Sequence, residues 1–281
     1  MTSTSLRTGV RRVALAIAAA TALTGMAACT STNPSGRPAP DDSPTRDSAT
    51  GAAQARPMAE LRSAERSTDR ADSARVESTT TMGTMMSMTA DGVLGWGDDI
   101  TGTLTITYTG GTMADTMRRL GSTSMEARYL PDAYYARMGD EFAAQAGGRH
   151  WLKYAYGDLE QLAGSSGAYL EKQLRQTTPD ESVRLLLESD DVRRVGEERI
   201  RGERTTHYSG TVDVGDAGVT TQTVDIWVND RDLLVKKVEK GRTTSGELTQ
   251  TAYYSDYGAE VTAEEPPAAD TQDVKELLKP G

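Results

Sequence analysis

The sequence predicts an α+β domain of about 200 residues built on one large antiparallel sheet. Three observations predict it. Apolar and polar residues alternate in short runs between Val76 and Tyr154. Helical spacing of leucines occupies the middle of the chain, and the last third is again a series of alternating runs separated by turn residues.

Ahead of this domain the chain reads as an export leader. Arg7, Arg11 and Arg12 form a positive region, residues 13–23 an apolar one, and Met26-Ala27-Ala28-Cys29 a small-residue cleavage site. This segment resembles a bacterial lipobox, which implies removal of residues 1–28 and a diacylglycerol on Cys29, the lipidated N-terminus. The apolar stretch is about half the ~20 residues that a spanning helix needs. An ordinary secretory leader cut at the same site is the alternative. Cys29 is the only cysteine among 281 residues, so a disulfide within the chain, a cysteine nucleophile and a cysteine metal site are all excluded. Two acyl chains suffice for stable membrane attachment. The expected location is therefore the outer face of a cytoplasmic membrane, with the general secretory route ahead of the twin-arginine route that Arg11-Arg12 raises.

The formal charge is −10, and loss of the three leader arginines makes it more negative still. No Lys/Arg stripe exists to neutralise phosphates, which argues against nucleic acid and against anionic lipid surfaces as partners. Residues 29–57 follow as a Ser-, Pro- and Asp-rich segment almost without large apolar side chains. Such composition reads as a flexible tether, holding the domain about 30 Å from the bilayer.

The domain is expected over 58–267. Met58, Leu61, Ala64, Ala71 and Ala74 recur at near-helical spacing, which predicts an amphipathic helix to about Arg75. Val76, Ser78, Thr80, Met82, Thr84, Met86 and Met88 then alternate as one face of a single strand. Leu104, Ile106 and Tyr108 alternate with threonines in a strand over 102–109. Residues 124–130 and 133–138 form a strand pair turning at Pro131-Asp132, and 150–154 continue the sheet. Leu159, Leu162, Leu170 and Leu174 mark helices interrupted by Gly164 and Gly167. Thr178-Pro179-Asp180-Glu181 is a helix-start signal, with Thr178 as cap, Pro179 at the first position and Glu181 closing a capping box. Strands over 192–199, 205–214, 219–228, 233–240 and 246–254 complete the sheet, with Gly215-Asp216-Ala217-Gly218 as a hairpin turn. Residues 268–281 form a tail with a short helix over 274–279.

The ordered set of features is similar to a known family. Tyr134-Tyr135 precedes Trp151-Leu152-Lys153, a leucine-rich helical insert follows, and then come Val195-Gly196, Thr206-His207-Tyr208-Ser209-Gly210, Asp225-Ile226-Trp227-Val228-Asn229 and Tyr254-Ser255-Asp256-Tyr257-Gly258. From Met58 to Pro267 the chain resembles the actinobacterial LppX/LprG-type lipoproteins, relatives of the LolA/LolB carriers. The resemblance implies a strongly curved antiparallel half-barrel, helices covering its concave face, and an apolar cavity between them that holds acyl chains. Binding by burial would require no metal or nucleotide, so no cofactor is expected. Two departures bear on the cavity: Phe142 is the only phenylalanine, and threonines are frequent in the strands.

Candidate cavity residues are Met82, Met86, Met88, Leu104 and Ile106, with Trp151 and Trp227 as aromatic wall. Leu159, Leu162, Leu170, Leu174 and Leu186 are the candidate lid, with a hinge at Gly164-Ser165-Ser166-Gly167. Thioethers suit a surface that adapts to varied chains, although core packing and Cu(I) coordination are the competing readings of the methionines. His150 and His207 stand near no serine or carboxylate at a recognisable spacing, and no metalloprotease, phosphate-loop or nucleophile-elbow motif is present. Asp190-Asp191 and Glu197-Glu198 point to opposite faces if they lie on strands, so neither pair can share a proton. The expected function is a membrane-anchored, non-enzymatic carrier of a lipid or acyl chain. A protein-interaction or envelope-stress-sensing module with a filled core is the alternative, with a cell-envelope protein as its partner. Replacement of the anchor residue, Cys29→Ser, is expected to abolish metabolic labelling by an alkyne fatty acid and to move the protein from the detergent to the aqueous phase on partition.

Overall fold

The computed structural model describes residues 47–158, 178–213, 221–243 and 246–278. The leader, Cys29, the start of the tether, the candidate lid residues Leu159, Leu162, Leu170 and Leu174, the 164–167 hinge and the 215–218 turn lie outside the described residues.

The described residues open on helix α1 (Asp47–Asp69), then run β1 (Ser73–Met82), β2 (Met86–Gly95), β3 (Thr101–Gly110), α2 (Gly111–Arg119), β4 (Ser124–Tyr129), β5 (Ala133–Arg137), α3 (Asp140–Gln145) and β6 (Trp151–Ala155). Helix α4 (Pro179–Leu187) precedes β7 (Arg193–Ile200), β8 (Glu203–Val212), β9 (Gln222–Asn229), β10 (Leu234–Thr243) and β11 (Gly246–Ser255). A three-residue strand, β12 (Thr271–Asp273), and α5 (Val274–Leu278) end the described chain.

All twelve described strands join one open sheet in the order β12-β6-β5-β4-β3-β2-β1-β11-β10-β9-β8-β7. Two antiparallel meanders, β1 to β6 and β7 to β11, meet where β1 pairs with β11 from Arg75↔Ser255 to Met82↔Leu248. The fold is the expected α+β half-barrel: a single, mostly antiparallel sheet, not closed, with the described helices α1 to α4 packed on one face. Only β12 runs parallel to its neighbour, β6.

Alternation along the strands sends one set of side chains to the helix-covered face. There Val76, Leu104, Ile106, Leu152, Val224 and Ile226 join one core cluster with Leu61 and Ala64 of α1, Met117 of α2, Phe142 of α3 and Val183 and Leu186 of α4. Polar contacts also anchor α1. Tyr208 Oη donates to Glu60 at 2.7 Å, Ser63 Oγ donates to Asp232 at 2.8 Å, and the Trp96 indole N–H donates to the Thr68 carbonyl at 3.3 Å.

Several boundaries differ from expectation, each for a local reason. Helix α1 begins at Asp47 and contains Pro57, so helix occupies 47–57, where tether was expected; Ala49, Ala52, Ala53 and Ala55 supply high helix propensity there. It ends at Asp69, because the chain reverses through Asp72 at φ 60 and Ala74 enters β1 fully buried. The expected single strand over 76–88 is two strands: Gly83, at φ 47, turns the chain and Met82 faces Met86 across the hairpin. Helices α2 and α3 and strand β12 are additions that periodicity alone did not mark. Thr178 is the residue before α4, as expected, but makes no side-chain cap bond to the helix backbone. Its carbonyl accepts the backbone N–H and hydroxyl of Ser182, and Glu181 turns to Arg184 at 2.6 Å instead of closing a box.

Two glycines let the central strands carry large side chains close to the backbone. Gly92 faces Leu104 and Gly102 faces Leu94 across the β2–β3 ladder. A Cβ on Gly92 would stand 2.1 Å from the Thr103 carbonyl oxygen and 3.0 Å from Leu104 Cδ2; on Gly102 it would stand 2.2 Å from the Val93 oxygen. Backbone cannot yield as a flexible side-chain end does. Gly92→Ala is therefore expected to cost about 2 kcal/mol or more, lowering Tm by roughly 5 °C in thermal unfolding, while Gly97→Ala, which meets nothing within 4 Å, changes little.

Candidate functional site

The inner face is built from rows of directly opposed residues that cross the sheet. One row runs Tyr208, Ile226, Lys237, Ala252, Ser78, Ala90, Ile106, Met125. The next runs Gly210, Val224, Glu239, Gln250, Thr80, Met88, Tyr108. A third, nearer the rim, runs Val212, Gln222, Gly241, Leu248, Met82, Met86. The first row is largely buried. In the other two, Leu248, Gln250, Met82, Met86, Met88 and Tyr108 are only half-buried. Met82, Met86 and Met88 thus do share a face, brought together by the Gly83 hairpin instead of by one long strand. Leu104, Ile106 and Leu186 lie in the same core beneath them.

Trp151 and Trp227 do not line this face. Each is one residue out of phase with an inward neighbour, Leu152 or Ile226, so each points outward. Trp151 packs with Ala133 and Tyr135 under the Arg128 guanidinium, 4.6 Å from its ring centroid. Trp227 packs with Ile200 and Val235, stacks on His207 at 4.3 Å and lies under Lys236 Nζ at 4.1 Å. Both histidines find carboxylates in the fold that sequence spacing did not show. His150 Nδ1 lies 2.8 Å from Asp270, and His207 Nε2 lies 2.9 Å from Asp225, with Glu198 3.8 Å from its Nδ1. His207 and its carboxylates sit outside, against Trp227, whereas the His150–Asp270 pair pins the turn before β12. Among the described residues neither histidine stands within hydrogen-bond distance of a hydroxyl or thiol nucleophile. Glu197 pairs with Arg194 and Arg204 while Glu198 takes the Trp227 indole N–H, so these carboxylates are separated as expected.

The inner face also holds charge. Lys237 is 1% exposed, and its ammonium group donates to Glu239 at 2.9 Å; Gln222 donates to the other carboxylate oxygen at 3.0 Å. Burial works against the Lys237 charge, but Glu239 and Tyr254 outweigh it and raise its pKa above the usual lysine value. A bulge between Leu234 and Lys236 inverts the alternation, turning Lys237 inward although Val235, two residues before, faces out. No sequence period marks that inversion, which is why this ion pair was missed. Across the sheet Tyr129, Tyr134 and Tyr154 form a contiguous inner row, with ring centroids 5.2 and 5.8 Å apart. Burial, with the other tyrosines nearby, pushes the Tyr129 and Tyr134 hydroxyls well above the usual range, and burial with Tyr108 does the same to Tyr154. Burial likewise raises the Asp180 carboxyl on α4.

A separate pocket of about 270 Å³ opens where the α2–β4 and β5–α3 connections meet, over Met125 and Met138 and beside Glu126, Arg137 and Asp140. Among the described residues no group of three or more histidine, cysteine or carboxylate side chains could hold a metal ion, and no helix is long and apolar enough to cross a membrane. The arrangement can bury an apolar or amphipathic molecule against half-covered methionines.

Comparison with known proteins agrees with the fold. A provisionally named lipoprotein of Streptomyces coelicolor is 60% identical over 281 aligned positions, covering 96% of this chain and 97% of that protein. An uncharacterized 31.2 kDa protein from the rplA–rplJ intergenic region of Streptomyces griseus is 49% identical, covering 81% of this chain and 82% of its own. No protein-family profile matches the chain. The crystal structure of LprF from Mycobacterium bovis superposes with a TM-score of 0.50 at 15% identity, covering 76% of this chain and 98% of that one. The lipoprotein LppX of Mycobacterium tuberculosis gives 0.49 at 16% identity over 75% of this chain and 100% of its own.

The buried pair supplies a direct test of the inner-face register. Lys237→Met leaves the Glu239 carboxylate without its counter-ion and is expected to destabilise the fold by about 3 kcal/mol. Lys237→Met combined with Glu239→Gln is expected to recover most of that loss, as read by urea unfolding.

Proposed function

The chain belongs to the family of these two streptomycete proteins and has the LppX/LprG-type lipoprotein fold, and on that premise we propose that it is a membrane-anchored, extracytoplasmic binder or carrier of a lipid or acyl chain. One observation carries the reading: the open sheet turns a row of flexible, half-covered methionines toward its helix-covered face, continuous with a buried apolar core. An acyl chain laid there gains about 0.8 kcal/mol per methylene removed from water, and thioether side chains re-pack around chains of different shape. Binding of this kind needs no metal, nucleotide or catalytic group, and the histidine–carboxylate pairs brace the sheet without assembling a reactive centre. The provisional naming of the Streptomyces coelicolor relative as a lipoprotein supports anchoring through Cys29, with the domain on the outer face of the cytoplasmic membrane.

The test is native mass spectrometry of the full chain extracted from membranes, followed by organic extraction. Acylated species that are released without cleavage of any covalent bond are the expected result. Leu186→Asp, at the fully buried contact of α4 with the core, is expected to reduce the released lipid while leaving membrane partition intact. A mass that stays clean after incubation with the source membrane lipids would remove the carrier assignment in favour of an envelope-interaction module.

A further inference from the structure

Buried polar side chains in a folded domain nearly always find a hydrogen bond, and leaving one unmade is unfavourable. Among the described residues three buried side-chain atoms have no partner: Thr80 Oγ1, Tyr154 Oη and Asp180 Oδ1. Their placement is not scattered. Thr80, 7% exposed, lies on the inner face of β1, and Tyr154, 5% exposed, on the inner face of β6. Asp180, 6% exposed, lies on α4, the helix laid over that face. All three therefore lie on the side of the sheet assigned above to the ligand.

Thr80 is the most informative. Its row neighbours are Gln250 and Met88, and its neighbours along the same face of β1 are Ser78 and Met82. All four are half-buried, so the hydroxyl lies at the base of the region where the inner face is least covered. A surface meant only for hydrocarbon would gain from valine here, which has the same shape and no hydroxyl. Tyr154 presents the same contrast beside Tyr134 on the far half of the sheet, where phenylalanine would pack equally well.

We infer that the inner face reads an oxygen-bearing acyl chain, one carrying a hydroxyl, ester or ether oxygen along the buried portion, and that the Thr80 and Tyr154 hydroxyls are the groups that bind that oxygen. The inference rests on the carrier reading and sharpens it. Both hydroxyls can donate, and a hydroxyl, ester or ether oxygen of the ligand can accept. β1 and β6 are five strand spacings apart, about 24 Å along the sheet, so a single oxygen engages one hydroxyl at a time and a longer ligand can meet both.

The test compares mid-chain hydroxystearate with stearate as probes on the delipidated full chain. Wild type is expected to bind hydroxystearate about fivefold to tenfold more tightly, the ratio that one hydrogen bond in a dry site supplies. In the Thr80→Val/Tyr154→Phe double variant that ratio is expected to fall to unity with stearate affinity retained or improved, and the single variants then assign the contact. Equal binding of the two probes by wild type overturns the inference and leaves the carrier reading standing. Failure of both probes to bind overturns both. A preference that survives in the double variant removes these two hydroxyls as its source.

Discussion

Pairing of β1 with β11 is the contact on which the rest of the structure depends. Each meander by itself would end in a long strand edge with unmet backbone groups. Joining them edge to edge satisfies both ladders and makes one continuous inner surface. The partners are far apart in sequence, as Arg75 opposite Ser255 shows, so closure of the seam carries the largest chain-entropy cost in the fold. The reward is geometric. Thr80 comes to lie between Gln250 of one meander and Met88 of the other, and the methionines of the β1–β2 hairpin extend the same surface as Glu239 and Lys237.

That surface is divided in character. The β2 to β6 half carries Leu104, Ile106, Met125, Ala127 and Leu152, all buried, under α2 and α3. The β9 to β11 half carries Gln222, Glu239, Lys237 and Gln250 under α4. A buried ion pair contributes little net stability, because desolvation of the two charges offsets their attraction. What it does impose is register, since a one-residue slip in β10 would carry Lys237 and Glu239 to the outer face and bring Val238 inward.

The outer face is stabilised differently. Arg128 over Trp151, Arg201 over Tyr253 and Lys236 over Trp227 cover aromatic rings with cationic heads and aliphatic stems. Arg201 is held in place by both oxygens of Glu77, at 2.7 and 3.0 Å. These contacts cover the outward side, where none of the described helices packs. At the far edge, the His150–Asp270 pair and the parallel strand β12 shorten the exposed ladder of β6.

The α+β class and the strands from 192 onward were legible because alternation and turn residues are local signals. Trp151 and Trp227 were not, because large aromatics fit a buried inner wall and a covered outer face equally well, and phase relative to Leu152 and Ile226 alone separates the two. The β10 bulge hid Lys237 in the same way, and the Gly83 turn hid the division of the methionine strand, since both invert or interrupt a period that sequence reading must assume constant. Sequence by itself determined most of the segments that form strands, and that the chain carries no cysteine chemistry beyond Cys29, because composition and alternation act over a few residues. Only the tertiary structure decided which face each side chain joins and that Thr80 Oγ1, Tyr154 Oη and Asp180 Oδ1 are buried without a hydrogen bond. Those properties arise from pairings between residues as distant as Thr80 and Gln250, and no local pattern carries them.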